Sequence, residues 1–246
     1  MMKPYYQDQY VTLFHARLED FAELPRADAA VVDPPYGSTR LAWDRWPANW
    51  PSWMLAAVPQ MFVFGTLRVW MNHAHEFQGW KLAQDLVWEK QNGSGLHNDR
   101  FRCVHESIIH VYRGLWSSLY HKAQVTHDAQ KRTIRRQQKP AHWGQLSKEG
   151  DYSVAEGGPR LMRSVLFCKN GHSVGENETA KPEGIIRPLV EYAVRPGGTV
   201  LDPMCGSGTV LAVAKSSGRH AIGIEMREDQ CEVAARRCTQ VMALVV

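Results

Sequence analysis

No stretch of this chain is apolar for long enough to cross a bilayer, which argues against a helical membrane span. Met1 to Asp8 (MMKPYYQD) lacks the charged start, apolar middle and small-residue end of a signal peptide, so a cytoplasmic protein without membrane contact is expected. Cysteine is scarce. The five present (Cys103, Cys168, Cys205, Cys231 and Cys238) are odd in number and form no CxxC pair, which excludes a disulfide frame and a zinc site. No metal centre is expected. His105-Glu106 with His110 does not make HExxH, because the histidines are five apart instead of four and the segment reads as a strand. GxxxxGK(S/T), the nucleoside-triphosphate loop, is absent.

What is present is a core and an uneven charge. Hydrophobic residues make up 44% of 246, enough for one large α/β domain with an insertion or for two small ones. The net charge is +4. From Arg113 to Lys169 there are eleven Lys/Arg against four Asp/Glu, while the rest of the chain has eighteen against twenty-one. A basic segment on a slightly acidic body points to a polyanion-facing surface, although a solvated loop gives the same composition.

Tyr10 to Phe14 reads as a first strand and Leu18 to Leu24 as a helical turn or two. Ala29 to Val32 is a continuous apolar strand, as expected when both sheet faces are covered. Trp46, Trp50 and Trp53 have helical spacing, with Trp43 ahead of them. Met61 to Gly65 is another strand. Leu86 to Trp88 and Val104 to Tyr112 predict an antiparallel hairpin across Asn92-Gly93-Ser94-Gly95. Residues 114–160 are polar, basic and without period, and Leu161 to Cys168 turns apolar again. Ile185 to Val194 is an amphipathic helix stopped by Pro196-Gly197-Gly198. Strand Thr199 to Leu201, helix Thr209 to Ser216 closed by Gly218, strand Ala221 to Ile224 and helix Asp229 to Met242 follow.

Two corners carry the chemistry. Asp33-Pro34-Pro35-Tyr36 follows the apolar strand 29–32. Prolines cannot continue a strand ladder, so Asp33 and Tyr36 are expected to be held outward on a rigid bend. A carboxylate acceptor beside an aromatic ring suits a planar base with an exocyclic amine. The second corner reads Asp202-Pro203-Met204-Cys205-Gly206-Ser207-Gly208-Thr209, followed by a helix and a strand ending at Glu225. Glycines let a ligand approach the backbone, a helix N-terminus favours an anionic group, and an acid at the next strand tip suits two ribose hydroxyls. That describes an adenosine with an anionic arm. Leu211 stands where a dinucleotide fold has its third glycine.

Together, VLDPMCGSGT…GIE and DPPY resemble the cofactor-binding and catalytic motifs of S-adenosylmethionine-dependent DNA amino-methyltransferases. Their order, DPPY first, is that of the β class. Trp43-Asp44, LVWEKQNG, CVHESIIHVY and AKPEGIIRPLVEYA resemble further family stretches. Met204 stands where the family usually has Phe, and His15-Ala16-Arg17 where it usually has Gly-Asp. The fold implied is a doubly wound Rossmann-like α/β sheet, mostly parallel and seven-stranded, with one antiparallel edge hairpin and an inserted target-recognition region. Residues 1–113 would be the catalytic half, 114–165 the DNA-binding insertion, and 166–246 the cofactor half.

The resemblance implies methyl transfer from S-adenosylmethionine to the amino group of a base flipped out of duplex DNA. Asp33, Pro34, Pro35 and Tyr36 would be catalytic. Asp202, Pro203, Cys205, Gly206, Ser207, Gly208, Thr209 and Glu225 would bind the cofactor, with Lys181 near its carboxylate. Lys131, Arg132, Arg135, Arg136 and Lys139 would meet DNA phosphates. Asp at the first motif position leans to adenine N6, whereas Ser there is commoner for cytosine N4, the alternative. Cytosine C5 is set aside because no Pro-Cys pair occurs. An inactive DNA-binding relative is the alternative from another class. An RNA or protein amide target more often goes with Asn in place of Asp33. β-class members often dimerise, and a cognate restriction endonuclease is a further candidate partner.

Overall fold

The apolar runs of the sequence become the middle of one sheet in the computed structural model, which describes residues 2–94, 98–134, 152–169 and 180–242. Its strands are β1 (Tyr6–Gln7), β2 (Val11–His15), β3 (Ala29–Val32), β4 (Gln60–Gly65), β5 (Lys81–Ser94), β6 (Cys103–Tyr112), β7 (Val125–Thr126), β8 (Arg132–Ile134), β9 (Tyr152–Val154), β10 (Arg160–Leu161), β11 (Val165–Phe167), β12 (Thr199–Asp202) and β13 (His220–Glu225). The helices are α1 (Trp50–Ala57), α2 (Leu67–His73), α3 (Glu183–Ala193), α4 (Thr209–Ser216) and α5 (Glu228–Gln240).

Among the described residues nine strands, not the expected seven, form the main sheet, in the order β1-β2-β13-β12-β3-β4-β6-β5-β11. The run from β2 to β4 is parallel throughout. β6 then pairs antiparallel with both β4 and β5. The expected hairpin is there, but it is not the edge: β11 adds outside it, parallel to β5. The apolar stretch 161–168 is therefore not one strand. Arg163 and Ser164 divide it between β10 and β11.

The apolar strands read as continuous because alternate residues enter opposite cores. Ala29 and Val31 of β3 face one core with Phe62, Phe64 and Val200, where α3, α4 and α5 pack. Ala30 and Val32 face the other with Met61, Val63 and Leu201, against Trp50, Met54 and Ala57 of α1. Two local expectations fail, and one helix was not expected. Residues 18–24 hold only a short 3-10 turn, Leu18–Asp20. Trp46 lies outside α1 and donates its indole N–H to Glu76 at 2.9 Å. α2 had no sequence signal, because Leu67 and Met71 are exposed and leave no clean apolar stripe.

The chain divides into two compact units, residues 1–122 with 164–246, and residues 123–163. Residues 114–122 thus belong to the unit that carries the main sheet. The smaller unit has two short antiparallel pairs, β7 with β10 and β8 with β9. Asp128 receives a two-pronged bond from Arg160, at 2.8 and 2.6 Å.

Sheet topology places the site. From β3 the chain goes to β4 on one side, and from β12 to β13 on the other, while β3 and β12 are neighbours. A crevice opens at the C-terminal ends of strands where such connections diverge. Both sequence corners lie there.

Candidate functional site

The first corner begins where β3 ends. Pro34 is buried, and Asp33, Pro35 and Tyr36 are half-buried. Asp33 and Tyr36 do not simply project outward. The Tyr36 hydroxyl turns back and donates to Asp33 Oδ1 at 3.0 Å, and its ring packs on the core. Lys181 Nζ donates to Asp33 Oδ2 at 2.6 Å and lies 3.4 Å from Glu106 Oε2. Lys90 donates to the other oxygen of Glu106. Lys181, Glu106 and Lys90 are only 10–13% exposed at the side chain, but Asp33 is 34% exposed. Of the four charges, Asp33 is the one that solvent or a ligand can reach.

One of these residues has other partners than the resemblance implied, and two had no assigned role. The resemblance implied Lys181 beside a cofactor carboxylate, yet its ammonium is engaged by two carboxylates of the protein. Glu106 and Lys90 had no assigned role. Their signal was present in the pattern of the two strands. Glu106 precedes Ile108 by two residues and Lys90 follows Trp88 by two, so each charge continues a core-facing row. Trp88 pairs with Glu106 across the ladder, which puts Lys90 on the diagonal. An inward charge needs a partner, and here each finds one.

Electrostatics follows from that packing. Burial raises the Glu106 carboxyl, but Lys181 and Lys90 together bring it below the usual value. Burial disfavours the Lys181 ammonium, and Asp33 with Glu106 overcomes this and holds it protonated. Asp33 stays above its ordinary value because burial outweighs the attraction of Lys181. The Tyr36 phenol is raised far higher by burial and by the two neighbouring acids, so it is a hydrogen-bond donor here.

The second corner is built from backbone. Gly206 and Gly208 have φ of +47° and +75°, the left-handed region that glycine tolerates. A Cβ on Gly208 would lie 2.8 Å from Ala234 Cβ, whereas one on Gly206 would enter open space. The side chains of Pro203, Cys205, Ser207 and Thr209 are buried. The Cys205 thiol is buried against Gly223, and burial pushes its pKa well up. Thr209 Oγ1 accepts from Arg237 at 2.5 Å. Gly206 is thus the position where a ligand can lie on bare main chain.

Two acids flank that position. Glu225 accepts from the backbone N–H of Gly206 through one oxygen and of Arg227 through the other, both at 2.8 Å. Asp202 accepts from the backbone N–H of Met204 at 3.2 Å, and burial raises its pKa well above the ordinary range. The loop after Tyr36 reaches the same side. Asp44 folds it by accepting from the N–H groups of Gly37 and Thr39, and the Arg227 guanidinium lies 4.9 Å from the Trp43 ring centre.

In the second unit, Lys131 and Arg132 are exposed. Arg135, Arg136 and Lys139 lie outside the described residues. Among the described residues no three His, Cys, Asp or Glu side chains are grouped to hold a metal ion, and no helix is long and apolar enough to cross a membrane.

Residues 27–236 match the family model described as DNA methylase, covering N6 and N4 enzymes, and the chain belongs to that family. It is 28% identical over 167 residues to the type II methyltransferase M.HinfI of Haemophilus influenzae, covering 65% of this chain and 40% of the relative. It is 28% identical over 160 residues to the type II methyltransferase M.Cfr9I of Citrobacter freundii, covering 65% of this chain and 45% of the relative. The chain therefore spans less than half the length of these relatives. Among solved structures, M1.HpyAVI in complex with SAM has a TM-score of 0.61 at 19% identity, covering 93% of this chain and 99% of that one. The cytosine-N4-specific PvuII DNA methyltransferase also has a TM-score of 0.61, at 16% identity, covering 96% of this chain and 89% of that one. At such identities the likeness is one of fold.

Proposed function

We propose that this chain transfers a methyl group from S-adenosylmethionine to the N6 amine of an adenine flipped out of duplex DNA. One observation carries the reading. An incompletely filled carboxylate beside a tyrosine ring follows β3, and a bare glycine backbone follows its parallel neighbour β12, so both stand at the same end of adjacent strands.

The second corner fits the cofactor. Open space over Gly206 accommodates its methionine arm, and Glu225 keeps acceptor capacity for two ribose hydroxyls beyond its two backbone bonds. When bound, the cofactor supplies an activated methyl group on a sulfonium. The protein's task is the weak nucleophile, an amine whose lone pair is spread into the base. Asp33 accepts one amine N–H and the Pro34 carbonyl the other. These bonds favour a nitrogen with a localised lone pair and stabilise the positive charge that grows on it. Tyr36 stacks on the base, a contact worth about 1–3 kcal/mol. The surplus amine proton then leaves by way of Asp33 to solvent.

Asp in the first motif position supports adenine; cytosine N4 offers the same kind of amine and is the second reading. Lys131, Arg132, Arg135, Arg136 and Lys139 meet phosphates in this proposal, so DNA affinity falls with salt. The type II relatives suggest a restriction–modification setting with a cognate endonuclease, and a homodimer would match a palindromic site. The test is transfer of labelled methyl from S-adenosylmethionine to unmethylated DNA, followed by nucleoside digestion and mass spectrometry. N6-methyladenine lost in Asp33→Ala supports the reading. N4-methylcytosine replaces the base, and no label in DNA overturns the activity.

A further inference from the structure

Each oxygen of Asp33 takes one side-chain bond, Oδ2 from Lys181 at 2.6 Å and Oδ1 from the Tyr36 hydroxyl at 3.0 Å. The two contacts differ in how easily they are given up. Lys181 is buried, bridges two carboxylates, and lies 5.7 and 5.4 Å from the ring centres of Tyr36 and Phe64. Moving it would strand Asp33 and leave Glu106 with Lys90 alone. Tyr36 has a second seat, because its hydroxyl is 3.5 Å from Glu106 Oε2. A small rotation of the phenol exchanges one acceptor for the other.

We infer that Lys181 is a positioning residue that pins Asp33 through Oδ2, so that Oδ1 meets the incoming amine while the Tyr36 hydroxyl passes to Glu106. The inference rests on the proposed amine methylation and adds to it who orients the acceptor. Lys181 never touches the base. It fixes the rotamer of Asp33 and balances its charge, and Lys90 performs the same service for Glu106. With two lysines and two acids the cluster is neutral overall, and loss of Lys181 leaves it with one uncompensated negative charge.

The same ammonium has a rival use, the cofactor carboxylate, and the two uses predict different losses. The experiment compares wild type, Lys181→Met, Lys181→Arg and Glu106→Gln. It reads S-adenosylmethionine Kd by calorimetry, kcat and KM for DNA, and the pH profile of kcat/KM. For Lys181→Met the expected result is an unchanged Kd and a kcat lower by about 100-fold, the scale of a misplaced reacting group. Its acid limb should move to higher pH, since Asp33 loses its counter-charge. Lys181→Arg should restore part of kcat and return the limb toward wild type. Glu106→Gln should lower kcat while leaving Kd unchanged.

A raised Kd with an unmoved acid limb would assign Lys181 to the cofactor and overturn the inference. So would a Lys181→Met enzyme with wild-type kcat. If wild type itself methylates no DNA, the functional reading falls and takes the inference with it, whereas an active wild type with an indifferent Lys181 removes only the inference. If Lys181→Met does not fold, Lys181→Arg and Glu106→Gln carry the decision through the same pH limb.

Discussion

Asp8, in the turn between β1 and β2, and Asp33, at the end of β3, have the same two side-chain partners. Each has a lysine ammonium at 2.6 Å, Lys215 for Asp8 and Lys181 for Asp33. Each also accepts from a tyrosine hydroxyl, Tyr6 at 2.7 Å and Tyr36 at 3.0 Å. The difference lies in the backbone. Asp8 takes two further N–H bonds, from Tyr10 at 2.8 Å and Val11 at 2.7 Å. Burial raises Asp8, but its four donors overcome this and bring it down to about 2. Among the described residues Asp33 takes no backbone donor, and burial keeps it above its ordinary value. A carboxylate accepts about four bonds. Asp8 is saturated and holds a turn; Asp33 has room, and that room is what an amine would fill.

Replacing each acid by alanine should separate the two most sharply. Asp33→Ala is expected to lower kcat by about 10³-fold, the loss of a preorganised acceptor facing developing charge, with cofactor binding intact. Asp8→Ala should leave kcat unchanged in the fraction that stays folded. Methyl transfer per folded molecule, with the fold checked by circular dichroism, decides it. No loss per folded molecule at Asp33 would mean that it, like Asp8, merely holds the fold.

Glu225 sets a middle case, an acid with two backbone donors and, among the described residues, only a distant cation. Arg227 Nε stands 3.9 Å away. Its expected role is ligand binding without chemistry. Glu225→Gln should therefore raise the S-adenosylmethionine Kd by roughly 10-fold, one lost charge-assisted bond of about 1.5 kcal/mol. kcat at saturating cofactor should hardly change. A large fall in kcat at unchanged Kd would place Glu225 with Asp33 instead.

The pH profile sharpens the same contrast. Asp33 must be ionised to accept the amine, and its pKa in the folded protein is raised. Activity is therefore expected at high pH and lost as pH falls, with the acid limb of kcat/KM above the ordinary 3.8 of aspartate. A limb at or below that value in the wild-type enzyme would remove Asp33 from the titrating role.

Much of this was legible from residues alone. The parallel centre of the sheet, the two corners and their nearness follow from apolar runs that end in Asp33-Pro34 and Asp202-Pro203. What was not legible depends on register and rotamer. Lys181 stands before a helix in the sequence, and nothing there says that its ammonium reaches Asp33 across 148 residues. Glu106 and Lys90 needed the β5–β6 ladder, including its register shift after Glu89, to be seen as partners. α2 was missed because its packing rests on Val69 and Trp70 rather than on a periodic stripe.

The smallest expected effect isolates the saturated acid. A carboxylate with a lowered folded pKa contributes stability above its unfolded value, and that contribution vanishes as pH falls through the folded value. For Asp8 the window runs from 3.8 down to about 2. Asp8→Asn should thus cost about 1 kcal/mol at pH 7, less than the whole shift implies because water still reaches the pair. That corresponds to about 2–4 °C in Tm for a chain of this size. The gap between wild type and Asp8→Asn should close on acidification toward pH 2. A gap that persists there would mean that the amide disrupts packing, and that the turn is held by shape and not by charge. The same substitution at Asp33 should lower Tm at pH 7 for a different reason, because it leaves the Lys181 ammonium, which Asp33 and Glu106 together hold protonated, with only Glu106 as its counter-charge.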